Sequence, residues 1–139
     1  MPEAAEERLA GGGAQARGRV RVLLVDDSAV IRERLRALLA EVDGVEVAGE
    51  AADVAGAAEA AARLEPDAVV LDMQLATGSG LAVLRHLRRS GHGALVIVLT
   101  NNACARYRRA CMAEGADHFL DKSAEFLAVA EILGRAAAR

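Results

Sequence analysis

Aromatic side chains are almost absent. Two phenylalanines, one tyrosine and no tryptophan make up 2% of the 139 residues. So few rings leave little to stack nucleobases on, and the core has to be filled by the Ala, Val, Leu and Ile of a 53% hydrophobic chain. Excess positive charge is also missing. A net charge of −3 opposes the general basic surface that drives nucleic-acid binding, so no direct nucleic-acid partner is expected. No apolar run approaches the ~20 residues of a membrane span, and no membrane partner is expected. Met1 to Arg19 begins acidic and has no apolar centre, unlike a secretory signal; a cytoplasmic location is the default. Cysteine is scarce too. Cys104 and Cys111 are seven positions apart. On one helix, at about 1.5 Å per residue, they would lie ~10 Å apart, beyond the ~7 Å reach of a disulfide. They read as reduced, partly buried small residues.

At this length one domain with short extras is expected. Residues 1–18 are rich in Ala, Glu and Gly, with Gly11-Gly12-Gly13 at their middle and no sustained apolar period. They read as a flexible tail, with the domain over 19–139. No strand precedes the glycine run and no Lys-Ser or Lys-Thr pair follows it, so a phosphate loop is not indicated.

What the chain does have is a repeated ending. Val69-Val70-Leu71 stops at Asp72, Val22-Leu23-Leu24-Val25 at Asp26-Asp27, Leu95 to Leu99 at Thr100, and Phe119-Leu120 at Asp121-Lys122. Buried parallel strands read as continuous apolar runs, and open α/β sheets place their sites at the C-terminal strand ends. Asp26, Asp27, Asp72, Thr100 and Lys122 are therefore expected to converge, with Asp72 at the centre.

Segments with helical spacing lie between the runs. Ser28 is positioned to cap a helix carrying Ile31, Leu35, Leu38 and Leu39 on one face. Val45 to Gly49 reads as a short strand. Asp53 can cap a helix through Leu64 whose inner face is Val54, Ala58, Ala61 and Leu64. Gly80 to Arg89 presents Leu81, Leu84 and Leu87. A fourth helix is expected from about Ala103 to Glu114, with Gly115 as its stop, and a fifth from Glu125 to about Ala137, with Phe126, Val129, Ile132 and Leu133 inward. Five βα units with short connections predict a doubly wound, flavodoxin-like α/β fold: a five-stranded parallel sheet with helices on both faces.

Three carboxylates in one crevice repel and raise one another's pKa. A hard divalent cation relieves this, and oxygen ligation with few protein ligands suits Mg²⁺. Lys122 adds a point charge for a carboxylate or phosphoryl oxygen, and Thr100 adds a hydroxyl. These are parts for phosphoryl transfer, which needs positioning and charge neutralisation; an Asp can itself be the nucleophile.

Asp26-Asp27, Asp72, Thr100 and Lys122 in this order, with Gly80 opening a helix and Gly115-Ala116-Asp117 before the last strand, resemble a bacterial two-component receiver domain of the stand-alone, chemotaxis-regulator kind. The resemblance covers about Val20 to the C-terminus. It implies that Asp72 is the phosphoacceptor for a sensor histidine kinase or histidine phosphotransfer protein. It further implies that Asp26, Asp27, Asp72 and the backbone carbonyl of Gln74 hold Mg²⁺, and that Thr100 and Lys122 contact the phosphoryl oxygens. Phe119, three residues before Lys122, matches the aromatic that switches with Thr100. The helix face near Ser28, Val30 and Arg32 would dock the kinase, and the helix 103–114, strand 118–120 and helix 125–137 would form a homodimer or partner face. Output would go to another protein, because only 17 residues follow Lys122. No enzyme activity beyond its own phosphoryl uptake and hydrolysis is expected.

The sequence departs from the family at three positions. Ala76 stands where the family usually has Pro, and Ser123 replaces the Pro after the lysine, leaving trans the cheaper form of that peptide. Asn101 replaces a small residue after Thr100, and its bulk is expected to alter dephosphorylation. Three alternatives compete: a phosphorylation-independent binding module, an aspartyl-nucleophile phosphatase, and the receiver end of a longer protein. The second wants an Asp two residues past the nucleophile, where this chain has Gln74. Arg106, Arg108 and Arg109 read as a solvated face, and His86, His92 and His118 show no ligand spacing.

Overall fold

The computed structural model describes residues 19–138, so the tail expected over 1–18 lies outside the described residues. The elements run β1 (Val20–Val25), α1 (Ala29–Ala40), β2 (Val45–Ala51), α2 (Val54–Leu64), β3 (Ala68–Leu71), α3 (Gly80–Arg89), β4 (Leu95–Thr100), α4 (Ala105–Ala113), β5 (His118–Asp121) and α5 (Ala128–Ala137). The sheet has the order β2-β1-β3-β4-β5, with every pairing parallel.

Strand residues alternate between two buried layers, which is why the runs are apolar throughout. Leu23, Val25, Val69, Leu71, Val96, Val98 and Phe119 pack against α2, α3 and α4. Val22, Leu24, Val70, Ile97, Leu99 and Leu120 pack against α1 and α5. The chain leaves β1 for β2 on one side and returns to β3 on the other. This reversal opens the crevice at the C-terminal ends of β1 and β3, where doubly wound sheets bind ligands.

Local chemistry starts the first two helices as expected. Ser28 Oγ accepts from Ile31 N at 3.2 Å, and Asp53 Oδ1 accepts from Gly56 N at 2.7 Å. Each satisfies an orphan helix donor. At the opposite pole Arg88 donates to the carbonyls of His92, Ala94 and Gly115 at 2.8–2.9 Å and lies 3.3 Å from Asp117. It joins α3, the start of β4 and the start of β5.

Several expectations need correction. Strand β2 runs on to Ala51, not Gly49, because a bulge at Ala48 re-registers it: Val22 pairs with Val47 but Leu23 with Gly49. Helix α5 begins at Ala128, not Glu125. Asp121 Oδ1 accepts from the amides of Ser123 and Ala124, and Glu125 Oε1 accepts from Asp121 N, so these residues are committed to a turn. Helix α4 begins at Ala105, leaving Cys104 outside it and exposed, while Cys111 is buried. The inner face of α2 is Ala57, Ala60 and Ala61, with Val54 and Leu64 half-buried at its margins. In α3 the buried residues are Gly80, Val83, Leu84 and Leu87, with Leu81 half-buried. Among the described residues no helix is long and apolar enough to cross a membrane.

Candidate functional site

Three strand ends bring the charged side chains together. Asp26 and Asp72 follow β1 and β3, which are adjacent, and Lys122 follows β5. All three are buried, with exposures of 3%, 7% and 7%. Lys122 Nζ donates to Asp26 Oδ2 at 2.7 Å and to Asp72 Oδ2 at 3.1 Å. One ammonium thus bridges two carboxylates, and it belongs to the only lysine in the chain. The Lys122–Ser123 peptide is trans, and Lys122 reaches both carboxylates from it.

Asp27 is exposed at the rim. One carboxylate oxygen from each of Asp26, Asp27 and Asp72 lies within 4.8 Å of the others, forming the one such cluster among the described residues. No sulfur or imidazole donor belongs to it, so its chemistry fits a hard cation such as Mg²⁺. Gln74 is exposed, and its amide donates to Asp72 Oδ1 at 3.4 Å. It sits in a two-residue hairpin, Gln74–Leu75 against Gly78–Ser79, that the sequence did not announce.

The electrostatics follow from this burial. Desolvation raises the Asp72 carboxyl; the Lys122 charge lowers it and the Asp26 charge raises it again, leaving it above the usual aspartate value. Desolvation acting alone would lower the Lys122 ammonium. The hydrogen bond to Asp26 and the charges of Asp72 and Asp26 outweigh it, so its pKa is raised.

Thr100 is 1% exposed. Its carbonyl accepts from Lys122 N at 2.9 Å and its hydroxyl from Asn102 N at 3.3 Å. It therefore stands beside Lys122, and its hydroxyl is engaged with its own loop. Phe119 is buried opposite Val98, and its carbonyl accepts from Arg108 at 3.3 Å. Gly80 closes the underside of the site: a Cβ there would lie 2.0 Å from the Asp72 carbonyl oxygen. His86 is exposed, and His92 and His118 are half-buried away from the cluster.

The sequence profile of the response regulator receiver domain matches residues 22–133. The chain belongs to the receiver family. It is 43% identical over 95 residues to a protein-glutamate methylesterase/protein-glutamine glutaminase of Anaeromyxobacter dehalogenans, covering 68% of this chain and 26% of that protein. With the nitrate/nitrite response regulator protein NarP of Escherichia coli it shares 38% over 104 residues, which is 75% of this chain and 48% of NarP. The chain therefore spans about a quarter and about a half of these two relatives. Among solved structures, the response regulator domain of Thermotoga maritima CheB superposes with a TM-score of 0.76 at 27% identity, over 87% of this chain and 98% of that one. The receiver domain of a NarL regulator from Mycobacterium tuberculosis gives 0.78 at 28%, with the same coverage. The flavodoxin-like receiver fold and a phosphoacceptor role in two-component signalling are what this membership supports.

One feature of the receiver's site escaped sequence reading. Arg32, expected on the helix face near Ser28 and Val30, turns inward: its guanidinium donates to the Asp26 carbonyl at 2.6 Å and to Glu50 Oε1 at 2.8 Å. Glu50 is 18 positions away on another element, so no local spacing could announce the contact.

Proposed function

We propose that Asp72 takes a phosphoryl group from the phosphohistidine of a sensor histidine kinase or histidine phosphotransfer protein, with Mg²⁺ held by Asp26, Asp27, Asp72 and the Gln74 backbone carbonyl. The observation that carries this reading is the Asp26–Lys122–Asp72 bridge at 2.7 and 3.1 Å. It presents an ionisable nucleophile beside a fixed positive charge. A bond forms between an Asp72 oxygen and phosphorus while the phosphorus–nitrogen bond breaks, and the imidazole leaves with a proton. The cation supplies charge neutralisation for carboxylates and phosphoryl oxygens that would otherwise repel. Lys122 can pair with the phosphoryl oxygens, and Thr100 can turn its hydroxyl toward them by giving up its bond from Asn102. Loss of that loop contact would bias α4 and the buried Phe119 between two arrangements, a population shift that a partner protein reads. The chain's own chemistry is limited to uptake and hydrolysis of the group.

The test is intact mass after incubation with a small-molecule phosphodonor and Mg²⁺. The expected result is a gain of one phosphoryl group, lost with chelator and absent in Asp72→Ala. An unmodified wild-type chain that still binds Mg²⁺ would favour the phosphorylation-independent binding module instead. Asn101, exposed immediately after Thr100, crowds access to the group, so Asn101→Ala is expected to change the phosphoryl lifetime when its decay is followed by mass. An unchanged lifetime would remove that role.

A further inference from the structure

We propose that Arg32 is a positioning residue for cation binding, setting the Asp26–Asp27 turn through a guanidinium that Glu50 holds in place. The inference rests on the reading above, that Asp26, Asp27 and Asp72 hold Mg²⁺. Every polar atom of Asp26 has a partner. Its amide donates to the Ala51 carbonyl at 3.1 Å, Oδ1 accepts from Ser28 N at 2.8 Å, and Oδ2 accepts from Lys122 Nζ at 2.7 Å. The remaining atom, the main-chain carbonyl, accepts from Arg32 at 2.6 Å.

Arg32 is itself fixed. Its Nε donates to Glu50 Oε1 at 2.8 Å, and Glu50 also pairs with Arg36. The Arg32 and Glu50 side chains are 19% and 21% exposed, so this pair is less screened than an open surface bridge. A planar guanidinium can aim one N–H at a carboxylate and another at a carbonyl at a fixed angle; a lysine ammonium on its flexible stem cannot. The clamp thus ties α1 and the end of β2 to the peptide linking two of the three carboxylates. Outer contacts of this kind set the orientation of metal ligands, and losing one typically weakens metal binding 10- to 100-fold.

The sign of the effect separates positioning from charge. Removing a cation beside an acidic cluster should, by electrostatics alone, tighten Mg²⁺ binding. Removing a positioning contact should weaken it. Mg²⁺ affinity at neutral pH is measured by calorimetric titration for wild type, Arg32→Met, Arg32→Lys, Glu50→Gln and Arg36→Met, with the unfolding transition of each metal-free chain recorded alongside. Arg32→Met is expected to weaken Mg²⁺ about tenfold while still unfolding cooperatively. Arg32→Lys and Glu50→Gln should each weaken it less. Arg36→Met should leave the affinity at the wild-type value, because Arg36 shares Glu50 without a bond to Asp26. An unchanged or tighter affinity in Arg32→Met overturns the proposal while leaving the Mg²⁺ site intact. If Arg32→Met fails to fold, wild-type affinity in both Arg32→Lys and Glu50→Gln overturns it equally. A wild-type chain whose Mg²⁺ binding is absent, or is unaffected by Asp72→Asn, overturns the underlying reading together with this inference.

Discussion

At the scale of single residues, Gly80 is the least replaceable position around the site. A Cβ there would approach the Asp72 carbonyl oxygen to 2.0 Å, its carbonyl carbon to 2.9 Å and Met73 Cα to 3.0 Å. All three are main-chain atoms, and no rotamer change moves them. The Gly80 amide also donates to the Met73 carbonyl at 2.8 Å, so the start of α3 is pressed directly against the segment that carries Asp72. Gly80→Ala is expected to cost about 3 kcal/mol, at the upper end of overpacking penalties, read from the midpoint of urea unfolding. A wild-type midpoint would mean that the loop yields at little cost. Gly80 was legible in the sequence as a helix opener, but its contact with Asp72 was not, because glycine carries no side chain whose pattern could signal a close approach.

At the scale of elements, the two poles of the sheet are held differently. The pole away from the site depends on Arg88, which donates to three carbonyls from two separate connections and lies beside buried Asp117. Asp117 in turn accepts from Val96 N at 2.8 Å, fixing the start of β4. Arg88→Met keeps most of the aliphatic stem but strips these donors. It is expected to lower stability by about 2–4 kcal/mol, because buried acceptors lose their partners, while phosphoryl uptake at the other pole continues. A variant with intact stability would show that other donors replace the guanidinium. At the site pole, α4 buries one residue, Cys111, where each other helix buries at least two. Its ties to the rest of the fold include Cys111 Sγ, 3.2 Å from Met73 Sδ, and Arg108, which donates to the Phe119 carbonyl at 3.3 Å. A helix with so small an anchor belongs to the part of a fold that opens at low free energy, as the proposed switching requires.

For the whole molecule, stability and charge at the site are linked. The folded pKa of Asp72 is raised above its ordinary value of 3.8. Its contribution to stability is therefore fully present below that value and is lost as pH rises through the folded pKa. At pH 7 the ionised Asp72 opposes folding. Lys122 is also raised, from 10.5; its contribution persists through neutral pH and is lost as pH rises through its folded value. Asp72→Asn should accordingly melt higher than wild type at pH 7 without Mg²⁺, and the difference should shrink toward pH 3.8. Adding Mg²⁺ at a hundred times its Kd should stabilise wild type by about 2.7 kcal/mol and Asp72→Asn by less. Melting curves at pH 4 and 7, with and without Mg²⁺, check all three statements. A lower melting temperature for Asp72→Asn at pH 7 would reverse the sign and remove the argument.

The sequence alone determined the apolar runs, the polar residue closing each of them, and hence a parallel sheet with Asp26, Asp27, Asp72, Thr100 and Lys122 at one pole. Burial on both faces leaves a continuous signal in the chain, and strand ends are set locally. Ser28 and Asp53 were readable as caps for the same reason, since each bonds an amide three positions on. Tertiary structure decided what spacing does not encode. Lys122 bridges partners 96 and 50 positions away, and Arg32 reaches Glu50 across 18. The bulge at Ala48 depends on the neighbouring strand. Asp121 and Glu125 delay the start of α5 because a turn outcompetes the first helical bonds. Periodicity records which face of a segment is buried. Which atoms meet at the site depends on how segments far apart in the chain are packed, and that is fixed only when the sheet and its two helical layers are assembled.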